Sequence, residues 1–269
     1  MKILIIGDVV GSPGRNIMKR ALPLVFRKHD VDYCIANVEN AAGGFGITPE
    51  IFREFQQMGV DCMTTGNHVW DKKEIIPAID GMPQLLRPAN YPASQPGKGA
   101  YVGQGKDSRV SVATLNLSGR VFMNGAIDDP FERARRDVEA LRKEAAVIIV
   151  DMHAEATSEK NAMGHFLDGK VSAVVGTHTH VPTCDHRILS KGTAYCTDLG
   201  MTGPYDSVIG VEKDTIIARF TSGMPGRFET AKNDARFAAV VVDVDQTTGR
   251  ARGIDRMLLS DADLDAWPA

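Results

Sequence analysis

The chain has 269 residues, 43% of them hydrophobic and 24% charged, enough apolar mass for one large domain with its own core. Its 31 basic and 34 acidic residues leave a formal net charge of −3, which excludes a global pull toward nucleic acid or an anionic membrane, so an anionic ligand has to be held locally. Cys34, Cys62, Cys184 and Cys196 form no C-x-x-C pair and read as reduced thiols, and the apolar start at residues 3–6 is cut by Gly7 and Asp8, too short for a secretory or membrane-spanning segment. A cytoplasmic, unprocessed protein with no membrane partner is expected.

In chain order, β-branched runs at residues 2–6 and 33–37 predict strands. Residues 48–58 predict a helix: Thr48 caps it, Pro49 enters the first turn, Ile51, Phe52, Phe55 and Met58 recur on one face, and Gly59 ends it. A strand at 62–65 follows, and the Pro/Gly-rich residues 87–105 read as a long connection. After a strand at 110–115, a second helix is predicted from Asp129 to about Ala146. There Arg133, Arg135 and Arg136 alternate with Glu132, Asp137 and Glu139, a solvated charged face and no nucleic-acid groove. Strands at 147–152, 171–175 and 193–196 follow. Finally 238–244 and 253–258 flank a turn at 245–249, an antiparallel hairpin. The early alternation of strand and helix predicts an α/β domain with a largely parallel sheet, and the hairpin calls for a mixed sheet or paired sheets. Without a repeat or linker to divide it, 1–269 is expected to be a single domain.

Polar residues cluster where these strands end: Asp8 after the first, Glu39 and Asn40 after the second, Asn67 and His68 after the third, His153 with Glu155 beyond it, and His178 with His180. Singly, each reads as a turn former or a surface histidine. Together they occupy the carboxyl ends of strands, where α/β domains gather their sites. In extended backbone the two imidazoles of His178-Thr179-His180 would share a face, and Gly66 would let the chain turn sharply before Asn67 and His68. Imidazole suits borderline divalent ions, carboxylate and amide oxygens suit harder ones, and the mixed set fits iron, manganese or zinc. Two cations about 3.5–4 Å apart are suited to phosphoester hydrolysis, because they bind both non-bridging oxygens and activate a water.

The ordered blocks from Asp8 to His180 resemble the calcineurin-like metallophosphoesterases. More narrowly, GDVVG at 7–11, NVENAAGGFGIT at 37–48, TTGNHVWD at 64–71 and GTHTHVPT at 176–183 resemble the bacterial YmdB-like subfamily. The resemblance implies two mixed β-sheets packed as a sandwich and flanked by α-helices. It assigns Asp8, Glu39, Asn40 and His180 to one metal and Glu39, Asn67, His153 and His178 to the other, with Glu39 bridging and His68 donating a proton to the departing oxygen. The superfamily D-x-H begins here as Asp8-Val9-Val10, the bridging Asp is Glu39, and Asn40 stands in for the lost histidine. The harder amide donor favours iron or manganese over zinc.

The activity implied is hydrolysis of small phosphodiesters, 2′,3′-cyclic nucleotides above all, by hydroxide at the metal pair. A phosphomonoesterase with the same centre and a metal- or nucleotide-binding regulatory protein are the alternatives, and a homo-oligomer is left open. Asp71 either orients His68 or caps a helix. Backbone amides of the loop holding Gly43, Gly44 and Gly46 would approach phosphate. His29, His165 and His186 fall outside the motifs and are excluded from the site.

Overall fold

The computed structural model describes residues 1–106 and 110–267. In chain order its strands are β1 (Lys2–Ile6), β2 (Asp8–Val9), β3 (Tyr33–Asn37), β4 (Cys62–Thr64), β5 (Ala100–Gln104), β6 (Ser111–Ser118), β7 (Val147–His153), β8 (Ala173–Thr177), β9 (Arg187–Ile188), β10 (Ala194–Cys196), β11 (Met201–Pro204), β12 (Ala235–Val244) and β13 (Ala251–Ser260). The helices are α1 (Gly11–His29), α2 (Pro49–Gln57), α3 (Pro130–Leu141), α4 (Thr157–Leu167), α5 (Lys213–Ser222) and α6 (Asp261–Asp265).

One sheet runs β2-β11-β12-β1-β3-β4, with β13 also paired to β12; the other runs β5-β6-β7-β8-β10-β9. β1, β3 and β4 are parallel to one another, as are β6, β7, β8 and β10, while β12, β13, β5 and β9 pair antiparallel. Both sheets are therefore mixed, not the largely parallel sheet that periodicity predicts. Alternation along β1 explains the layering. Ile3 and Ile5 meet Val147, Ile149 and Val175 of the second sheet, whereas Leu4 and Ile6 face Ile17, Met18 and Leu22 of α1 and Phe52 and Phe55 of α2. On the far face of the second sheet, Ile148 and Val150 pack against Ala134 and Val138 of α3 and Met163 of α4. This is the helix-flanked sandwich, with strands buried on both faces and so apolar throughout.

Local chemistry fixes the helix starts. Thr48 Oγ1 accepts from Ile51 N at 3.3 Å ahead of Pro49, and Asp129 Oδ1 accepts from Phe131 N at 2.8 Å. α3 stops at Leu141, short of the predicted Ala146, because the chain needs 142–146 to reverse into β7. Within that helix Arg135 pairs with Glu132 at 2.6 Å on the solvated face expected, whereas the Arg133–Asp137 pair at 2.5 Å is half-buried. The predicted connection 87–105 contains β5, an edge strand paired to β6. All four cysteines are unpaired. Among the described residues no helix is long and apolar enough to cross a membrane.

Candidate metal centre

The ends of β1, β3, β4, β7 and β8 deliver the seven candidate ligands to one place. Around His153 Nε2 lie Glu39 Oε1 at 3.0 Å, Asn67 Oδ1 at 3.0 Å and His178 Nδ1 at 3.1 Å. Beside them, Asn40 Nδ2 lies 3.0 Å from His180 Nε2 and 3.4 Å from Glu39 Oε1, and His180 Nε2 is 4.0 Å from Asp8 Oδ1. Asp8, Glu39, Asn40 and His153 are all buried. Three donor atoms crowded around one ring nitrogen, four with the nitrogen itself, cannot be satisfied by one proton. A cation among them would satisfy all four, so the residues present fit a metal group.

Each histidine is oriented by an acceptor on its other nitrogen. Asp151, buried, accepts Thr177 Oγ1–H at 2.7 Å, the Thr64 hydroxyl, and Asn37 Nδ2–H at 3.2 Å. With its proton so committed, Thr177 Oγ1 accepts from His153 Nδ1 at 3.0 Å, which turns the Nε2 lone pair to the centre. His178 Nε2 faces the Glu155 carboxylate at 3.1 Å and presents Nδ1. His180 Nδ1 donates to the carbonyl of Ile209 at 2.8 Å and presents Nε2. His68 Nδ1 lies 2.8 Å from Asp71 Oδ2, so Asp71 orients the imidazole instead of capping a helix.

Two expectations need correction. His178 and His180 do not share a face by strand alternation: β8 ends at Thr177, and the two histidines have φ of 96° and 65°. These left-handed conformations are unfavourable for non-glycine residues, and the intervening Thr179 is pinned by Oγ1 donating to Asp198 Oδ2 at 2.7 Å, itself paired to buried Lys160 at 2.6 Å. The chain does turn after Gly66, where Val69 N donates to the Gly66 carbonyl at 3.3 Å, and the glycine also permits close approach, since a Cβ there would stand 2.1 Å from His153 Cδ2 and Nε2. The glycine loop also differs from an anion cradle: the amides of Ala42 and Gly44 donate inward to the carbonyls of Gly46 and Asn40.

The electrostatics follow from packing carboxylates and imidazoles out of water. Burial alone would lower His153, but Glu39, Asp8 and Asp151 raise it to about 9. Burial also works to raise Glu39, yet His153 and His68 outweigh it and hold the carboxylate down at about 2. Burial lifts Asp8 to about 6 against the pull of His180 and His153, and burial together with His153 depresses His178 to about 3. Positive charge thus concentrates on His153 among the acids, at the point where a cation would take the proton's place.

A cavity of about 260 Å³ opens above this floor, with Glu39, Asn40, His68, His178 and His180 lining its base and Phe45, Ile209, Val211 and Phe228 its walls. Ile209 and Phe228 belong to no motif that marks chemistry, and Phe45, though inside the 37–48 block, is not a ligand-type residue that draws notice. Asp151 sits inside an apolar run, where a buried carboxylate two residues before His153 is the one signal that could have drawn notice.

A two-sheet sandwich with a carboxylate–imidazole cluster at its strand ends is the metallophosphoesterase architecture, and the fold alone is shared with a 5′-nucleotidase from Candida albicans SC5314 (TM-score 0.58, 11% identity, 98% of this chain and 53% of that one). Residues 4–257 match the family described as YmdB-like protein. A 2′,3′-cyclic-nucleotide 2′-phosphodiesterase of Bacillus subtilis (strain 168) is 50% identical over 262 residues, 97% of this chain and 98% of that protein. The crystal structure of a novel phosphatase from Mycoplasma pneumoniae superposes with a TM-score of 0.90 at 34% identity, covering 97% of this chain and 93% of that one. The chain belongs to the YmdB-like family and is a metallophosphoesterase.

Proposed function

We propose that this chain is a phosphodiesterase of a single domain, 1–269, that opens 2′,3′-cyclic nucleotides or closely similar small phosphodiesters. Two transition-metal ions, iron or manganese, would be held by Asp8, Glu39, Asn40 and His180 at one position and by Glu39, Asn67, His153 and His178 at the other. The observation that carries this reading is the convergence of Glu39, Asn67 and His178 on His153 Nε2 within 3.0–3.1 Å, beside a cavity that His68 lines. Bound there, two cations supply Lewis acidity to the non-bridging oxygens and lower the pKa of an attacking water.

The chain's own residues do the rest. Glu39 reaches both groups of donors, and its Oε2 accepts from the backbone N–H of His68 at 3.0 Å, which ties the proton donor to the bridge. With Nδ1 committed to Asp71, His68 offers Nε2 to the oxygen leaving phosphorus, and that oxygen takes the proton. The 50% identity to a 2′,3′-cyclic-nucleotide 2′-phosphodiesterase supports the diester and the cyclic nucleotide. A cytoplasmic location goes with unpaired thiols.

The test compares turnover of 2′,3′-cyclic AMP and of 3′-AMP by protein loaded with iron or manganese. Faster hydrolysis of the diester is expected, abolished by a chelator. Preference for the monoester, or turnover indifferent to chelation, would overturn the reading.

A further inference from the structure

We propose that the cavity above the metal centre is a nucleobase slot, in which Phe45 and Phe228 hold the base of the substrate and set its affinity. This rests on the cyclic-nucleotide reading and adds a recognition element to it.

The bond that breaks fixes where the base must lie. When a 2′,3′-cyclic phosphate is opened to a 3′-monophosphate, an oxygen from water bonds to phosphorus, the P–O2′ bond breaks, and O2′ takes a proton. O2′ sits on C2′, which is bonded directly to C1′, the atom that carries the base. Whichever group protonates O2′ therefore has the base as a near neighbour. His68 is placed for that task, and the ring packed against it, at a centroid distance of 4.9 Å, is Phe45.

Phe45 is brought there by a loop that only glycine can form: Gly44 and Gly46 have φ of +99° and +77°. A Cβ on Gly44 would lie 2.8 Å from Thr230 Oγ1. That close approach sets the segment carrying Phe228 against the loop carrying Phe45, and both rings line the same cavity. Phe228 is steadied from outside by the Arg219 guanidinium, 4.9 Å from its ring centroid, yet remains 37% exposed. Ile209, 52% exposed, continues the apolar wall. Aromatic rings left partly open to water beside a phosphoester site are what a flat heteroaromatic ring covers, and stacking of this kind tolerates any base because every base has a π-face.

The experiment measures kcat/KM of the metal-loaded chain for 2′,3′-cyclic AMP and for ethylene phosphate, a five-membered cyclic diester without a base. The ratio of the two is the readout, in wild type, Phe228→Ala, Phe45→Ala and Phe45→Trp. Stacking of ordinary strength predicts that either alanine lowers the ratio about 10- to 100-fold, through KM for cyclic AMP, and that tryptophan restores it. Phe228→Ala is the control for an indirect effect, since the ring packed on His68 is that of Phe45. An unchanged ratio in Phe228→Ala, or equal losses on both substrates in Phe45→Ala without rescue by tryptophan, would overturn the slot. Equal kcat/KM of the wild type on the two diesters would also overturn it while leaving the phosphodiesterase reading intact. Turnover of neither diester would bring down both.

Discussion

Asp151 makes no contact with the cavity and yet governs how His153 meets the centre. Its oxygens collect hydrogen bonds from Thr64, Thr177 and Asn37, and burial pushes its carboxyl above the usual range. Asp151→Asn would present an N–H to a hydroxyl that is already donating, turning Thr177 and freeing the His153 ring. Metal affinity is expected to fall about 10- to 100-fold with the fold retained, as for other partners behind a metal-bound histidine. Calorimetric titration of the apoprotein with manganese checks this, and unchanged affinity would refute it. At this scale the sequence was legible where chemistry sits at a strand end: Asp8, Glu39, Asn40, Asn67, His68, His153, His178 and His180 all reach one site. The acceptors that orient them were not legible. Ile209 meets His180 from 29 residues away and Asp151 bonds Asn37 across 114, and no local pattern encodes either contact.

Elements position the centre by rules visible in part. The runs that became β1, β3, β7 and β12 were readable because buried strands are apolar throughout. α1 was not, because Pro23 lies inside it and normally disfavours a helix interior, and its start depends on Gly11 with φ 58°. β5 was hidden by glycines that pack closely: a Cβ on Gly103 would be 2.6 Å from the Tyr33 hydroxyl. α4 reaches the strained histidine turn through Lys160, whose pair with Asp198 is 1% exposed on each side. Lys160→Met strands that carboxylate, and a loss of about 3–5 kcal/mol in unfolding free energy is expected by urea titration; a loss within experimental error would show that the pair holds nothing. The β12–β13 turn has its own pH signature. Asp245 accepts from Thr248 N and Thr247 N and meets Arg252, and these contacts depress its carboxyl to about 2. A depressed carboxylate stabilises the fold above its unfolded pKa, near 3.8, and the contribution disappears as pH falls through about 2. Asp245→Asn should therefore be less stable than wild type at pH 6 and equal to it near pH 2. A gap that persists at pH 2 would contradict the assignment.

Across the whole molecule, parallel strands of two sheets end on one side of the sandwich, and loops separated by up to 170 residues meet there, as where His178 N donates to Asp8. Periodicity could predict that α/β strands bring their carboxyl ends together, but it could not place two sheets face to face, because that pairing is set by Ile3, Ile5, Val147 and Ile149 interlocking between them. Glu39 stands where the two groups of donors touch, buried and in contact with His153, Asn40 and the His68 backbone. The most direct measurement is the metal content of wild type and Glu39→Gln purified side by side with manganese, each shown folded by circular dichroism. A shared carboxylate predicts about two equivalents per chain in wild type, as in other two-metal sites, and loss of most of both in the variant. A folded Glu39→Gln that keeps the wild-type complement would contradict it.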